Sequence, residues 1–242
     1  MVWQAVGVYR LPGPPVRPSV ATFCAADLRF DPETHIYSLP TGDDVPSVTA
    51  VLGAVGVTED FDALGNGRPW LADRIVAAAA RGSAVHADCH AYDDDDLVWS
   101  SVDSRVRPYV DAWAQFREDK RLTPITRERF VYHPTYGYAG TFDGIFALKR
   151  TRVLVDIKTG NPADGAAHLQ TAAYRAAREQ EFPNESISAR WAVWLTPGRS
   201  VPYRIVNYDA PARRLEAALD FQKFLSCLTV YREQPQRRRR IV

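Results

Sequence analysis

The segment from Ala139 to Ile157 constrains the fold more than any other part of this 242-residue chain. Two apolar runs, Ala139 to Leu148 and Val153 to Ile157, flank the polar turn Lys149 to Arg152. Runs of β-branched and aromatic residues bounded by such a turn predict an antiparallel hairpin. Phe130-Val131-Tyr132 predicts a strand just upstream, which extends the hairpin into a meander. Alanine-rich residues 166 to 180 then predict a helix, and Ile187 to Leu195 and Val201 to Tyr208 predict two more strands around Pro197-Gly198. A helix set between strands of one sheet points to an α/β domain with a mixed central sheet.

The remaining sequence reads as helices and a small hairpin. Pro12, Pro14, Pro15 and Pro18 cannot support a ladder of backbone hydrogen bonds, so residues 1–20 are expected to be an irregular lead-in. Phe23 to Leu39 predicts a hairpin about Asp31-Pro32-Glu33-Thr34, and Ser47 is placed to cap a short helix through Val55. Pro69 to Tyr92 predicts a long helix. Val102, Val106, Tyr109, Val110, Trp113 and Phe116 recur at helical spacing in a second, and Pro211 starts a closing one. The expected organisation is a single domain over 21–232 followed by a basic tail over 233–242.

Composition narrows the chemistry. Lys plus Arg (30) and Asp plus Glu (29) nearly cancel, so affinity for a polyanion has to come from local patches. Cys24, Cys89 and Cys227 are odd in number and scattered, which suits a reducing cytoplasm rather than a disulfide framework. No signal-peptide order opens the chain and no apolar run approaches the ~20 residues that span a bilayer, so no membrane association is expected.

The stretch GTFDGIFALKRTRVLVDIKTG carries the reactive groups. Period-2 alternation puts Asp156 and Lys158 on one face of their strand, and the hairpin brings Asp143 beside Asp156. Two carboxylates with the intervening Ile157 carbonyl suit a hard divalent cation such as Mg2+ or Mn2+. Such an ion with a nearby ammonium is apt for phosphodiester hydrolysis. An isolated Asp-x-Lys is most often a solvated ion pair, so its surroundings decide. HLQTAAY sets Gln170 and Tyr174 four apart on one helix face, GSAVH sets His86 in the long N-terminal helix, and Gly140 permits close approach at the strand entry.

Taken in order, PSVTAVL, RGSAVH, GYAGTFDG, VDIKTG and HLQTAAY resemble the PD-(D/E)XK nuclease superfamily, in particular its RecB-like group, which includes phage exonucleases. The resemblance implies a restriction-endonuclease-like fold whose N-terminal hairpin and helices wall the active site. It implies Asp143 and Asp156 as metal ligands, Lys158 as the catalytic lysine, His86 as the motif-one histidine, which joins the Ile157 carbonyl as a further metal ligand or else contacts a phosphate, and Gln170 with Tyr174 as the QxxxY element. Glu128 matches an upstream glutamate of relatives or else partners Arg127 or Arg129. The implied activity is Mg2+- or Mn2+-dependent cleavage of DNA, first as an exonuclease on ends or single strands in phage-type recombination or processing, with a phage or host recombination partner. Endonuclease action and a non-cutting DNA-binding module are the alternatives.

Two positions depart from the pattern. His90 stands where relatives often carry an acid. The four cysteines of iron-sulfur members are missing, so no cluster is expected. His86 and His90 are spaced for zinc but lack the HExxH glutamate, and His90 is expected on the helix surface. Asp93 to Asp96 are expected to be a solvated helix end. Arg237 to Arg240 are either a DNA-binding tail or an ordinary charged end. Trp191 and Trp194 are expected in the core, and Trp70 and Trp99 are candidates for base stacking.

Overall fold

The structure is a computed structural model that describes residues 23–32, 34–57, 69–160 and 165–234. The proline-rich lead-in, Glu33, the Trp70 side chain and Arg237 to Arg240 lie outside the described residues.

A small antiparallel sheet comes first, made of β1 (Arg29–Asp31), β2 (Ile36–Ser38) and β3 (Asp44–Val45). The Asp31 carboxylate closes its first turn by accepting from the Thr34 hydroxyl at 2.7 Å. Ser47 Oγ accepts from the Ala50 amide at 3.0 Å and starts α1 (Val48–Ala54).

Two long helices follow, α2 (Pro69–Asp93) and α3 (Arg107–Lys120). Val102 precedes α3 rather than joining it. Pro108 sits in the first turn, where a missing N–H costs no hydrogen bond, and Arg121 ends the helix in the left-handed conformation at φ 51°.

The main sheet runs in the order β4 (Thr123–His133), β5 (Tyr138–Leu148), β6 (Thr151–Lys158), β7 (Ala189–Leu195) and β8 (Tyr203–Asn207). All neighbours are antiparallel except β6 and β7. A parallel pair needs a crossover, which α4 (Ala167–Glu181) supplies. A 3-10 turn at Pro211–Arg213 leads into α5 (Arg214–Glu233), so the closing helix begins three residues after its proline signal.

β4 is much longer than the three-residue strand expected. Arg127, Glu128 and Arg129 hide the alternation, as charged residues on an edge strand commonly do. The register also slips between Pro124 and Thr126, and Glu128 has φ 40°. A slip of this kind breaks the period-2 pattern that sequence reading relies on.

Helices cover both faces of the main sheet. Val51 and Leu52 of α1, Leu169, Ala173 and Tyr174 of α4, and Phe224 and Leu228 of α5 pack with Phe142, Ile145 and Leu154. On the opposite face, Val85 and Cys89 of α2 and Val110, Trp113 and Phe116 of α3 pack with Val153, Val155 and Ile157. Alternation along β6 therefore sends its odd residues toward α2 and α3 and Leu154 toward α4. Asp156 and Lys158 share the parity of Leu154, which puts them beneath α4. The small sheet packs through Tyr37 and Val45 onto Tyr132 and Ala139. A mixed α/β sheet flanked by helices is the expected architecture.

Candidate active site

The site forms where the hairpin between β5 and β6 comes apart. Their ladder ends at Gly144 opposite Val155, and one step further would set Asp143 opposite Asp156. A side chain replaces the backbone there, because the Ile157 amide donates to Asp143 Oδ2 at 2.6 Å. The N–H and C=O of one residue in a strand point to the same edge, so the Ile157 carbonyl also faces Asp143.

α2 closes the site from the other side. His86 Nδ1 lies 2.9 Å from Asp143 Oδ1. Burial raises the Asp143 pKa, but the His86 ring and the hydrogen bonds from His86 and Ile157 outweigh it and hold the carboxyl below its ordinary value. Burial works against a charged His86, yet Asp143 draws its pKa above the usual 6.5. Gly82 of α2 faces Thr159, just past the end of β6, where an added Cβ would stand 3.4 Å from Thr159 Oγ1.

Asp156 is in the opposite electrostatic state. It is 3% exposed, and burial together with the Asp143 charge raises its pKa to about 6 despite the Lys158 ammonium. Lys158 Nζ forms an ion pair with Asp156 Oδ2 at 3.0 Å, and apart from it no donor among the described residues reaches that buried oxygen. A buried carboxylate met by a single ammonium is still poorly solvated, and a further cation or a proton would stabilise it.

Lys158 is held from the far side. Its ammonium donates to Gln170 Oε1 at 2.8 Å, and Gln170 Nε2 donates to Tyr174 Oη at 3.1 Å. Burial pushes the Tyr174 pKa upward, so the phenol stays protonated. The Tyr174 ring lies against the β5 backbone, where a Cβ at Gly140 would stand 2.5 Å from Tyr174 Cε1. Gly140→Ala is therefore expected to cost about 1–3 kcal/mol of stability and to dislodge Tyr174. Thermal melting of the variant, with a crystal structure, checks both effects.

The structure thus gathers His86, Asp143, Asp156, Ile157, Lys158, Gln170 and Tyr174 in one place. It also supplies residues the sequence reading placed elsewhere or left open. His90 is 7% exposed rather than on the helix surface, and its Nδ1 lies 3.1 Å from Glu128 Oε2. Glu128 pairs with neither neighbouring arginine, since Arg127 pairs with Asp94. No sequence signal links positions 90 and 128, because the contact exists only where α2 crosses β4.

Asp93 is a correction of the same kind. It is buried, accepts from Trp113 Nε1 at 3.2 Å and pairs with Arg117, whereas Asp94 to Asp96 are exposed. Trp99 is only half-buried, but the Arg107 guanidinium lies 4.5 Å over its ring and occupies one stacking face. Trp194 is buried, and Trp191 packs partly buried beneath α3.

A further support was not foreseen. Buried Arg190 donates to the His168 carbonyl at 2.9 Å while paired with Asp209 and Asp220 at 2.9 and 3.0 Å. It ties the first turn of α4, and with it Gln170, to the start of β7. Its partners lie 19 and 30 residues away, so adjacency in sequence gives no hint of the cluster.

Among the described residues, no three His, Cys, Asp or Glu side chains are gathered as a ready metal shell. The donors present nonetheless fit a Mg2+-type ion, which commonly takes one or two carboxylates and fills its remaining positions with water and substrate oxygens. The buried Asp156 oxygen, met only by the Lys158 ammonium, is the observation that favours such an ion.

No family model and no curated protein matches the chain. Among solved structures, it is similar to an alkaline exonuclease (LHK-Exo) from Laribacter hongkongensis, at 19% identity over 53% of this chain and 68% of that chain. The TM-score is 0.28, too low for the likeness to carry an argument.

Proposed function

We propose that this chain is a Mg2+- or Mn2+-dependent deoxyribonuclease that hydrolyses phosphodiester bonds, acting as an exonuclease on DNA ends or single strands in phage-type recombination or DNA processing. The observation that carries the reading is the opened β5–β6 ladder, which brings Asp143 and the buried Asp156 carboxylate together with Lys158 at the rim. Asp143, Asp156 and the Ile157 carbonyl would hold the ion, with His86 as a further ligand through Nε2 or as the group that orients Asp143. When bound, the ion supplies an activated water and neutralises charge developing on the phosphate.

The chain's own residues do the rest. The Lys158 ammonium would act on an attacking water or a phosphate oxygen. Gln170 and Tyr174 fix its position, and Arg190 fixes Gln170. The free thiols of Cys24, Cys89 and Cys227 suit action in a reducing cytoplasm.

The test is incubation of purified protein with end-labelled single-stranded, duplex and circular DNA, with Mg2+, Mn2+ or EDTA. Metal-dependent release of nucleotides from linear DNA is expected. Nicking of circles makes the protein an endonuclease, and binding without cleavage makes it a DNA-binding module.

Tyr174→Phe separates positioning from ligation. Loss of the hydroxyl leaves the Gln170 amide without its acceptor and loosens Lys158, so single-turnover cleavage is expected to fall by roughly ten- to a hundredfold. Mn2+ affinity measured by calorimetry should stay unchanged, and a variant that cuts at the normal rate would reduce Tyr174 to a packing residue.

A further inference from the structure

A cavity of about 540 Å3 lies along the β4 edge of the main sheet, between that strand, the 3-10 turn at Ala25–Asp27 and the C-terminal end of α4. Its size is in the roughly 300–1,000 Å3 range of ligand pockets. The lining excludes Asp143, Asp156 and Lys158, so this surface is separate from the active site. It is nevertheless only one strand away. Arg127 and Arg129 line it, and they are in register with Gly144 and Phe142, the neighbours of Asp143 on β5. Adjacent strands are about 4.8 Å apart.

The lining combines cations with flat apolar surface. Arg129 is exposed and has no ion pair among the described residues. Arg178 lies 3.6 Å over the Phe182 ring, and its Nε is buried without a hydrogen-bond partner. Phe182 and Ile125 are 37% and 44% exposed. The acid lying between the two arginines of β4 is kept out. Glu128, at φ 40°, turns its carboxylate to His90 and is not part of the lining.

Arg127 of the lining is paired with Asp94, and Arg178 is paired with Glu185 at 2.7 Å, which leaves Arg129 as the lining's guanidinium without an ion pair among the described residues. One unpaired guanidinium beside exposed aromatic surface suits a single strand, whose bases are free to stack, better than a duplex, whose bases are hidden and whose denser phosphates call for more cations.

We infer that this groove holds the single-stranded DNA segment adjoining the scissile phosphate, with Arg129 on a phosphate and Phe182 against a base. The inference rests on the nuclease reading of the Asp143 site. Arg129→Glu and Phe182→Ala are suitable probes, with binding of a labelled single-stranded oligodeoxynucleotide and of a duplex of equal length measured by anisotropy in EDTA, where no cleavage intervenes. Phe182→Leu serves in place of Phe182→Ala if the latter lowers the melting temperature.

Wild type is expected to prefer the single strand. Each variant should bind it roughly tenfold or more weakly, and Arg129→Glu should also lower the logarithmic salt dependence by about 0.7. If wild type cuts DNA and the variants bind as tightly as it does, the groove assignment is overturned and the nuclease reading stands. Equal affinity of wild type for duplex overturns the single-strand assignment. If wild type neither binds nor cuts any DNA, the nuclease reading itself fails and the groove assignment with it.

Discussion

Asp156→Asn is expected to abolish cleavage, by about three orders of magnitude or more, and to make the metal-free protein more stable. The amide keeps the shape of the carboxyl but not the anionic oxygen, so Mn2+ affinity falls with activity. Stability moves the other way because Asp156 is buried and its folded-state pKa is raised from 3.8 to about 6. A carboxyl raised in this way favours the protonated folded state. Its cost is absent below the unfolded value, grows as pH rises, and is complete above the folded value. Near pH 8 in EDTA the cost is on the order of 2–3 kcal/mol, from about 1.4 kcal/mol per pKa unit. The neutral asparagine removes it, and a rise of several degrees in Tm should accompany the loss of activity. A variant that melts below wild type at pH 8 would contradict this electrostatic picture.

Lys158→Met should be nearly as damaging to cleavage while leaving metal binding in place. The ammonium bridges Asp156 and Gln170, at 3.0 and 2.8 Å, so it is positioned by both strand and helix. Methionine fills a similar volume without the charge, and the loss of a preorganised donor in such a site costs about 100- to 1,000-fold in turnover. Calorimetric titration with Mn2+ at pH 8, where Asp156 is ionised, is expected to show affinity close to wild type. Lost affinity with retained turnover would exchange the roles assigned to Asp156 and Lys158.

The two variants probe the two sides of one ladder break. If both lose cleavage but only Asp156→Asn loses metal, the carboxylate side binds the ion and the lysine side acts on the substrate. Tyr174→Phe then reports on the helix behind the lysine, since its effect can reach the site only through Gln170.

Much of this was legible in the sequence because it is local. Period-2 alternation fixes the common face of Asp156 and Lys158, helical spacing fixes that of Gln170 and Tyr174, and a turn within the polar run returns the chain so that Asp143 comes opposite Asp156, although it takes only Lys149-Arg150 and leaves Thr151 and Arg152 to β6. Ser47 as a cap and Asp31 as a turn residue are equally local, each decided by hydrogen bonds within three or four positions. Strand β4 was legible only at its apolar end, because a register slip and the Arg127-Glu128-Arg129 run erase the alternation before it.

Tertiary structure alone decided what depends on crossings between distant elements. The sequence could place His90 and Glu128 on a helix and near a strand, but their pairing across 38 residues exists only because α2 passes over the β4 edge. Asp93 reads as part of a solvated acidic run, yet α3 packs Trp113 and Arg117 onto it and makes it a buried acceptor. Arg190 reads as a charge inside an apolar strand, and only the folding of the segments bearing Asp209 and Asp220 against it makes burial tolerable. The physical division is one of range: backbone periodicity and turn chemistry act over a few residues and are written in the sequence order, whereas desolvation and ion pairing depend on which surfaces the completed fold brings together.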